Sequence, residues 1–179
     1  MKYAVLLLAA VAPMMAQEFR IPPSFDRLAA KAKEVVDVNL DGSLLQLAAR
    51  FLSDRDADEA QVKKLVNGLK GIFVKSFEFD TRGEYTEADL ESLRSQLRSP
   101  GWSRIVGVRS QRSGDNADVY LRSDTNQITG LVVITAEPRN LTVVSISGPI
   151  NPEDIRKLGG HFGIPKLDGI GTTRRNRED

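Results

Sequence analysis

The stretch ADVYLRSDTNQITGLVVITAEPRNLTVVSISG (residues 117–148) contains three apolar runs that are separated by short polar connectors. Valine, isoleucine, threonine and tyrosine, which favour strands, dominate these runs. Polar connectors of a few residues between such runs predict antiparallel hairpins. Together with the segment just before this stretch, the pattern predicts four strands, at residues 102–110, 117–122, 127–136 and 141–148.

Upstream of these strands, apolar residues recur mostly at helical spacing. Thr86 and Asp89 resemble a capping box in which aspartate replaces glutamate, and Asn151 with Pro152 opens a last short helix. Helices that mostly precede a run of strands favour a two-layer α+β domain, a mainly antiparallel sheet with a C-terminal four-strand meander packed by about five helices. The other predicted elements are helices at 24–34, 44–52, 62–69 and 86–97, and strands at 35–40 and 72–80.

The first 16 residues resemble a secretory signal peptide. Lys2 precedes an apolar run over residues 4–12, and Ala16 offers a small residue before the cleavage site. The run is too short to cross a bilayer as a helix, and we expect no transmembrane span. We therefore predict a signal peptide over residues 1–16, a single domain over 17–171 and a disordered charged tail over 172–179. The predicted location is the periplasm or the cell exterior.

Composition excludes several kinds of chemistry. The 179-residue chain has no cysteine, which excludes disulfides, thiolate metal sites, thiol nucleophiles and a lipid-anchor cysteine. Removing Lys2 from the 25 basic residues leaves 24 basic against 24 acidic residues, so nucleic acid is not an expected partner. We expect no metal and no cofactor. His161 has no partner motif, and the Asp54-x-Asp56-x-Asp58 run lacks the glycine and distal glutamate of a calcium loop.

Arginine is unevenly distributed. Six arginines lie between positions 94 and 122, where only two aspartates oppose them. Arginine interleaved with aromatic residues is typical of binding surfaces. The alternative is that these arginines are solvated and protect strand edges from aggregation. The candidate binding patch comprises Trp102, Arg104, Arg109, Tyr120 and Arg122.

The alternation along the strands predicts which side chains share a face. We expect one face to carry Ala117, Val119, Leu121, Ile128, Val132 and Ile134, and to pack in the core. The opposite face would carry Tyr120, Arg122, Leu131 and Val133. Because that second set is too apolar for solvent, either helices or a partner must cover it, and the number of predicted helices favours helices.

Several segments carry a family resemblance. They are VVDVNLDGSLLQLAARF (35–51), LVNGLKGIFVKSFEF (65–79), DVYLRSDTNQITGLVVI (118–134) and LTVVSISGPINPEDIRKL (141–158). In this order, after a signal peptide, the chain resembles the exported bacterial family named domain of unknown function 4252. The shared motifs are structural, so the resemblance implies fold and export rather than an activity. Many members begin with a lipid-modified cysteine; this chain lacks it, which implies an unanchored protein. The genomic neighbourhood of the family, near envelope-stress sigma-factor genes, implies a regulatory or accessory role.

These observations favour an exported, non-enzymatic binding or regulatory module that uses the arginine-rich patch against an envelope protein or an anionic envelope component. A second hypothesis is an envelope-directed hydrolase. Glu78 and Asp80 are two carboxylates on one strand face, about 7 Å apart along the chain, a spacing that suits a hydrolytic pair. A third hypothesis is a self-associating structural protein. The sequence does not determine the oligomeric state.

Overall fold

Six strands form a single antiparallel sheet in the computed structural model, which describes residues 19–151. The strands are β1 (Glu34–Asp41), β2 (Gly71–Glu78), β3 (Trp102–Arg109), β4 (Asn116–Asp124), β5 (Gln127–Glu137) and β6 (Asn140–Ile150). Their spatial order is β1-β2-β6-β5-β4-β3. The predicted α+β class with a mainly antiparallel sheet is confirmed. The strands β3, β4, β5 and β6 pair in chain order, and β6 also pairs with β2, so they belong to one six-stranded sheet rather than to a four-stranded one.

The helical elements of the described residues are a 3₁₀ turn (Pro23–Phe25), α1 (Asp26–Ala29), α2 (Gly42–Ala49), α3 (Ala57–Gly68) and α4 (Glu87–Gln96). The three longer helices, α2, α3 and α4, begin where a capping side chain satisfies free backbone N–H groups, whereas the 3₁₀ turn and α1 have no side-chain cap. Asp41 caps α2 by accepting from Ser43 and Leu44, and Thr86 with Asp89 forms the predicted capping box at α4. The helix predicted at 24–34 is shorter than expected. The predicted signal peptide, last helix and charged tail lie outside the described residues.

One face of the sheet packs against α2 and α3. Leu45 of α2 and Val66 of α3 are fully buried there, above Val74 of β2 and Val144 of β6. The outer strands contribute fewer buried side chains, and Val38, Val106 and Leu121 are only partly covered. The buried members of this cluster are Leu45, Ala49, Val62, Leu65, Val66, Leu69, Ile72, Val74, Val119, Leu131, Val133, Val144, Ile146 and Ile150.

The opposite face packs against α1 and α4, so the prediction of two layers is wrong. Leu28 of α1 and Leu93 of α4 are fully buried against Phe77 and Leu141. The central strands β5 and β6 carry apolar side chains at successive positions, and therefore both of their faces require cover. The expectation that helices rather than a partner cover the second face is confirmed. The buried members are Phe25, Leu28, Phe77, Phe79, Leu90, Leu93, Leu97, Tyr120, Val132, Ile134, Ala136, Leu141 and Val143.

A register shift corrects the predicted grouping of side chains. Val119 lies opposite Val133, and Tyr120 lies opposite Val132. Leu131 and Val133 therefore share the face of Val119, and Val132 and Ile134 share the face of Tyr120. The cause is the irregularity between Ile128 and Gly130, where an extra residue reverses which side chains point to each face.

Candidate functional site

The structure brings the five predicted patch residues onto two adjacent strands. Trp102 of β3 lies opposite Arg122 of β4, and Arg104 lies opposite Tyr120. Arg104 and Arg109 are five residues apart, which in a regular strand would put them on opposite faces. The bulge between Arg104 and Val106 changes the alternation, so both arginines reach the face of the sheet that carries α4.

Two of these arginines converge on a carboxylate that the sequence analysis treated only as an opposing charge. Asp118 is 1% exposed. Arg109 donates to both of its oxygens, each at 3.2 Å, and Arg104 Nη1 lies 3.3 Å from Oδ1. Arg94 of α4 donates from Nε to Oδ2 at 2.9 Å. We call Arg94, Arg104, Arg109 and Asp118 the arginine cluster.

Arg94 is the buried member of the arginine cluster. It is 7% exposed, and it also pairs with Glu87 at the start of its own helix. Burial lowers the pKa of Arg94, but hydrogen bonds to Asp118 and Glu87 outweigh that effect and raise it. Its Nη2 is buried and has no hydrogen-bond partner in the described part of the chain. Arg94 therefore fixes α4 to β4 and keeps its charge.

Tyr120 lies beneath the arginines rather than beside them. It is 6% exposed and packs with the apolar cluster under α4. Burial, and then the charge of Asp118, raises the pKa of its hydroxyl, whereas Arg104 and Arg94 act in the opposite direction. The neutral phenol is therefore the form at ordinary pH, and its ring contributes to the core.

The other two patch residues, Trp102 and Arg122, line a groove of about 670 Å³. The groove lies on the sheet face that carries α1 and α4, on the part of that face that these two helices leave uncovered. Asp26 of α1 is the one residue of the two helices that lines it. Its floor crosses β2, β6 and β5, where the residues are small. The floor residues are Gly71, Thr129, Gly130, Ser145 and Ser147. We call this depression the basic groove.

The N-terminal segment forms one wall of the basic groove. Residues 19–23 line it, and Gln96 at the end of α4 holds them in place. The backbone N–H of Arg20 donates to Oε1 of Gln96 at 3.1 Å, and Nε2 of Gln96 donates to the carbonyl of Arg20 at 2.9 Å. This reciprocal pair places Phe19 and Ile21 where they add apolar surface to that of Phe73 and Trp102.

The charges that line the basic groove are unequal. Four basic side chains line it (Arg20, Lys70, Lys75 and Arg122), against two acidic ones (Asp26 and Asp41). Lys75 pairs with Asp37, and the Asp41 carboxylate caps α2. Arg122 is half-buried, and its side chain makes no hydrogen bond or ion pair within residues 19–151. The groove therefore has an excess of positive charge and a guanidinium, that of Arg122, which is not paired within the described residues.

The carboxylate pair proposed for hydrolysis lies elsewhere. Glu78 ends β2, opposite Glu34, and its Oε1 is 3.6 Å from Nζ of Lys33. Both Glu78 and Asp80 are exposed, and neither lines the basic groove. The hydrolase hypothesis remains a prediction. Within the described range, no three histidine, cysteine, aspartate or glutamate side chains are grouped as a metal site requires, and His161 lies outside that range.

Sequence reasoning missed Asp118, Arg94 and Lys70. Asp118 carries the most useful signal, because it is a carboxylate flanked by apolar residues of β4, Ala117 and Val119, in an arginine-rich part of the chain. Arg94 and Lys70 lie far along the chain from the other residues of their clusters, and no local pattern indicates either contact.

Comparison with known proteins supports the family resemblance. None of the helices between residues 19 and 151 combines the length and apolar character needed to cross a bilayer. A comparison of the chain with curated proteins found no match. The model of a family described as a domain of unknown function (DUF4252) matches residues 27–158. Because this match covers most of the chain, the protein belongs to that family.

Proposed function

We propose that the protein is an exported, non-enzymatic binding or regulatory module of the bacterial envelope, and that the basic groove holds its ligand, an anionic envelope component. Export is supported by the leader pattern of residues 1–16, with its single lysine and its short apolar run. The absence of cysteine is consistent with a protein that is not anchored through a lipid.

Arg122 is the observation that carries this proposal. Arg122 is half-buried in the basic groove, opposite Trp102 on the neighbouring strand, and its guanidinium has no acceptor within the described chain. The guanidinium can therefore bind a ligand in the groove without first breaking an ion pair within residues 19–151. An anionic ligand would supply the missing acceptor and form a charge-assisted hydrogen bond, and arginine suits carboxylates and phosphates because it can donate two parallel bonds.

A capture experiment tests the proposal. The chain from residue 17, the predicted mature N-terminus, is immobilised and exposed to envelope extract from the source cells. Arg122→Glu is the test variant, and Arg112→Glu is the matched control, since Arg112 is exposed on the β3–β4 hairpin and does not line the groove. Arg104 and Arg109 are unsuitable test positions because they neutralise buried Asp118.

We expect the native chain and Arg112→Glu to retain the same anionic component, and a folded Arg122→Glu to lose it. Circular dichroism establishes that each variant is folded. Equal retention by all three chains would overturn the assignment of the basic groove. If none of them retained anything, the binding function itself would be contradicted.

A specific feature favours a second candidate function, the self-associating structural protein. Leu44, Leu47 and Phe51 are exposed, and their spacing of three and then four residues places them on one side of α2 and the turn after it. Light scattering over a rising concentration series tests this candidate. A constant monomer mass would contradict it, whereas a mass that rises for the native chain but not for Phe51→Ser would support it.

A further inference from the structure

We infer that the ligand of the basic groove is a small amphiphile, an alkyl or acyl chain that carries one acidic head group. This inference rests on the proposed function and specifies the ligand class. The volume of about 670 Å³ falls within the range of sites that enclose small molecules. It is too small to enclose a folded partner, and its mixed lining requires a ligand that is both apolar and charged.

The apolar half of the site depends on Gly130. A Cβ atom at this position would lie 3.1 Å from Cη2 of Trp102, so the indole ring rests directly on the backbone of β5. Phe73 and Ile21 add further half-buried apolar surface. Because the floor residues are small, space remains above the sheet in which an alkyl chain can replace water.

The charged half of the site adjoins the apolar half. Arg122 is paired opposite Trp102, and its Cβ lies 3.2 Å from a Cβ atom placed on Gly130. A ligand whose alkyl chain contacts the indole ring of Trp102 would therefore place its head group beside the guanidinium of Arg122. Lys70 is exposed at the rim, makes no ion pair among the described residues, and adds positive charge.

The balance of charges selects an acidic head group. Lys75 and Asp41 already have partners, so three basic side chains (Arg20, Lys70 and Arg122) and one acidic side chain (Asp26) are left to face the ligand. A hydrogen bond to a charged group contributes about 1.5–3 kcal/mol, which corresponds to roughly a tenfold to hundredfold gain in affinity over a neutral analogue. A carboxylate and a phosphate share this chemistry, and the experiment must distinguish them.

Trp102 is the only tryptophan in the chain, so its fluorescence reports directly on the groove. The chain from residue 17 is titrated, below micelle formation, with dodecanoate, dodecyl phosphate and dodecanol, and separately with acetate and inorganic phosphate. We expect saturable shifts with one or both acidic amphiphiles, about tenfold or more weaker binding of dodecanol, and no response to the two small anions.

Two variants test the charged half and the apolar half of the site separately. Arg122→Gln should weaken binding of the acidic amphiphile about tenfold to hundredfold and leave dodecanol unchanged, whereas Arg112→Gln should change neither. Ser145→Leu, which places a larger side chain on the floor, should weaken both the acidic and the neutral ligand. The melting temperature of each variant shows whether it is folded.

Failure of this inference can be distinguished from failure of the proposed function. If neither acidic amphiphile gave a saturable response while capture from extract still depended on Arg122, the ligand class would be wrong and the binding function would stand. If Arg122→Gln instead lowered the stability clearly and no probe bound, Arg122 would have a partner within the chain. That outcome would overturn the inference as well.

Discussion

Gly107 provides the space in which the guanidinium group of Arg104 lies. A Cβ atom at position 107 would be 2.9 Å from Cζ of Arg104. Gly107 of β3 lies directly opposite Asp118 of β4. Because Gly107 has no side chain, the side chain of Arg104 can extend over this position and reach the Asp118 carboxylate.

We expect Gly107→Ala to displace the Arg104 side chain and to change the free energy of unfolding by less than about 1 kcal/mol, because lost pairing and improved strand propensity oppose each other. In an Arg104→Gln background the conflict is absent, and the same substitution should stabilise the protein by roughly 0.5–1 kcal/mol. Urea denaturation of the native chain, Gly107→Ala, Arg104→Gln and the double variant measures the coupling between the two positions. If the two changes in the free energy of unfolding were simply additive, the contact between Arg104 and position 107 would be contradicted.

Asp118→Asn should be among the most damaging single substitutions. It removes the negative charge that balances Arg94, Arg104 and Arg109, and it leaves the buried Arg94 with only Glu87 as a counter-ion. Breaking a buried ion pair in this way costs about 3–5 kcal/mol. The control Asp115→Asn, on the exposed hairpin, should stay within about 0.5 kcal/mol of the native chain in the same denaturation series.

The capping box of α4 predicts a pH dependence. Burial alone would raise the pKa of Asp89, but hydrogen bonds from Arg27 and Thr86 outweigh it and lower the pKa below its ordinary value. A carboxyl whose pKa is lower in the folded chain stabilises the fold above its unfolded pKa, near 3.9 on the usual scale, and this contribution is lost as the pH falls through the folded value.

Asp89→Asn should therefore destabilise the protein by roughly 1–2 kcal/mol at pH 7 and by progressively less as the pH falls below about 4. The free energy of unfolding, measured in urea at several pH values for both chains, provides the comparison. A difference that is the same at pH 7 and pH 2 would show that the Asp89 charge has no role.

Two phenylalanines form a matched pair for a test of the core. Phe77 is fully buried in the sheet, and Phe51 is 84% exposed after α2. Phe77→Ala should cost about 3–5 kcal/mol because it leaves a cavity, whereas Phe51→Ala should change the stability by less than about 0.5 kcal/mol. Thermal melting compares the two; similar losses would mean that Phe51 is covered in solution.

Local sequence patterns predicted the individual helices and strands more accurately than they predicted how the strands pair in the sheet. The capping box at Thr86 and Asp89 is encoded within four residues, and the hairpins around residues 123–126 and 137–140 are encoded by their turns. The insertion of β6 between β2 and β5 is a pairing over a long sequence separation, and no local signal specifies it. The same is true of the bulge at Ile128–Gly130, which reversed the predicted faces of Val132 and Val133.

The candidate site was predictable only in part. The composition between Arg94 and Arg122 selected five candidate residues, and the structure places all five on the adjacent strands β3 and β4. The composition could not separate Arg122, which faces a groove, from Arg109, which neutralises Asp118, because that difference depends on a bulge and on a glycine at position 107. Charge counting treats both arginines alike, whereas packing gives them different roles.

The position of β6 in the middle of the sheet has a consequence for how the chain folds. Synthesis proceeds from the N-terminus, so β1 and β2 emerge well before β6, the strand that pairs with the inner edge of β2. Gly71 pairs with Ser147, 76 residues later in the chain. Until then, β2 presents an unpaired edge and neither apolar face is complete. Pairings between distant residues fold slowly, because a long loop must close before the contacts can compensate for its entropy. The six-stranded sheet of residues 19–151 can therefore close only after β6 has been released, and we expect folding to follow the synthesis of that strand rather than to accompany the synthesis of β1 and β2.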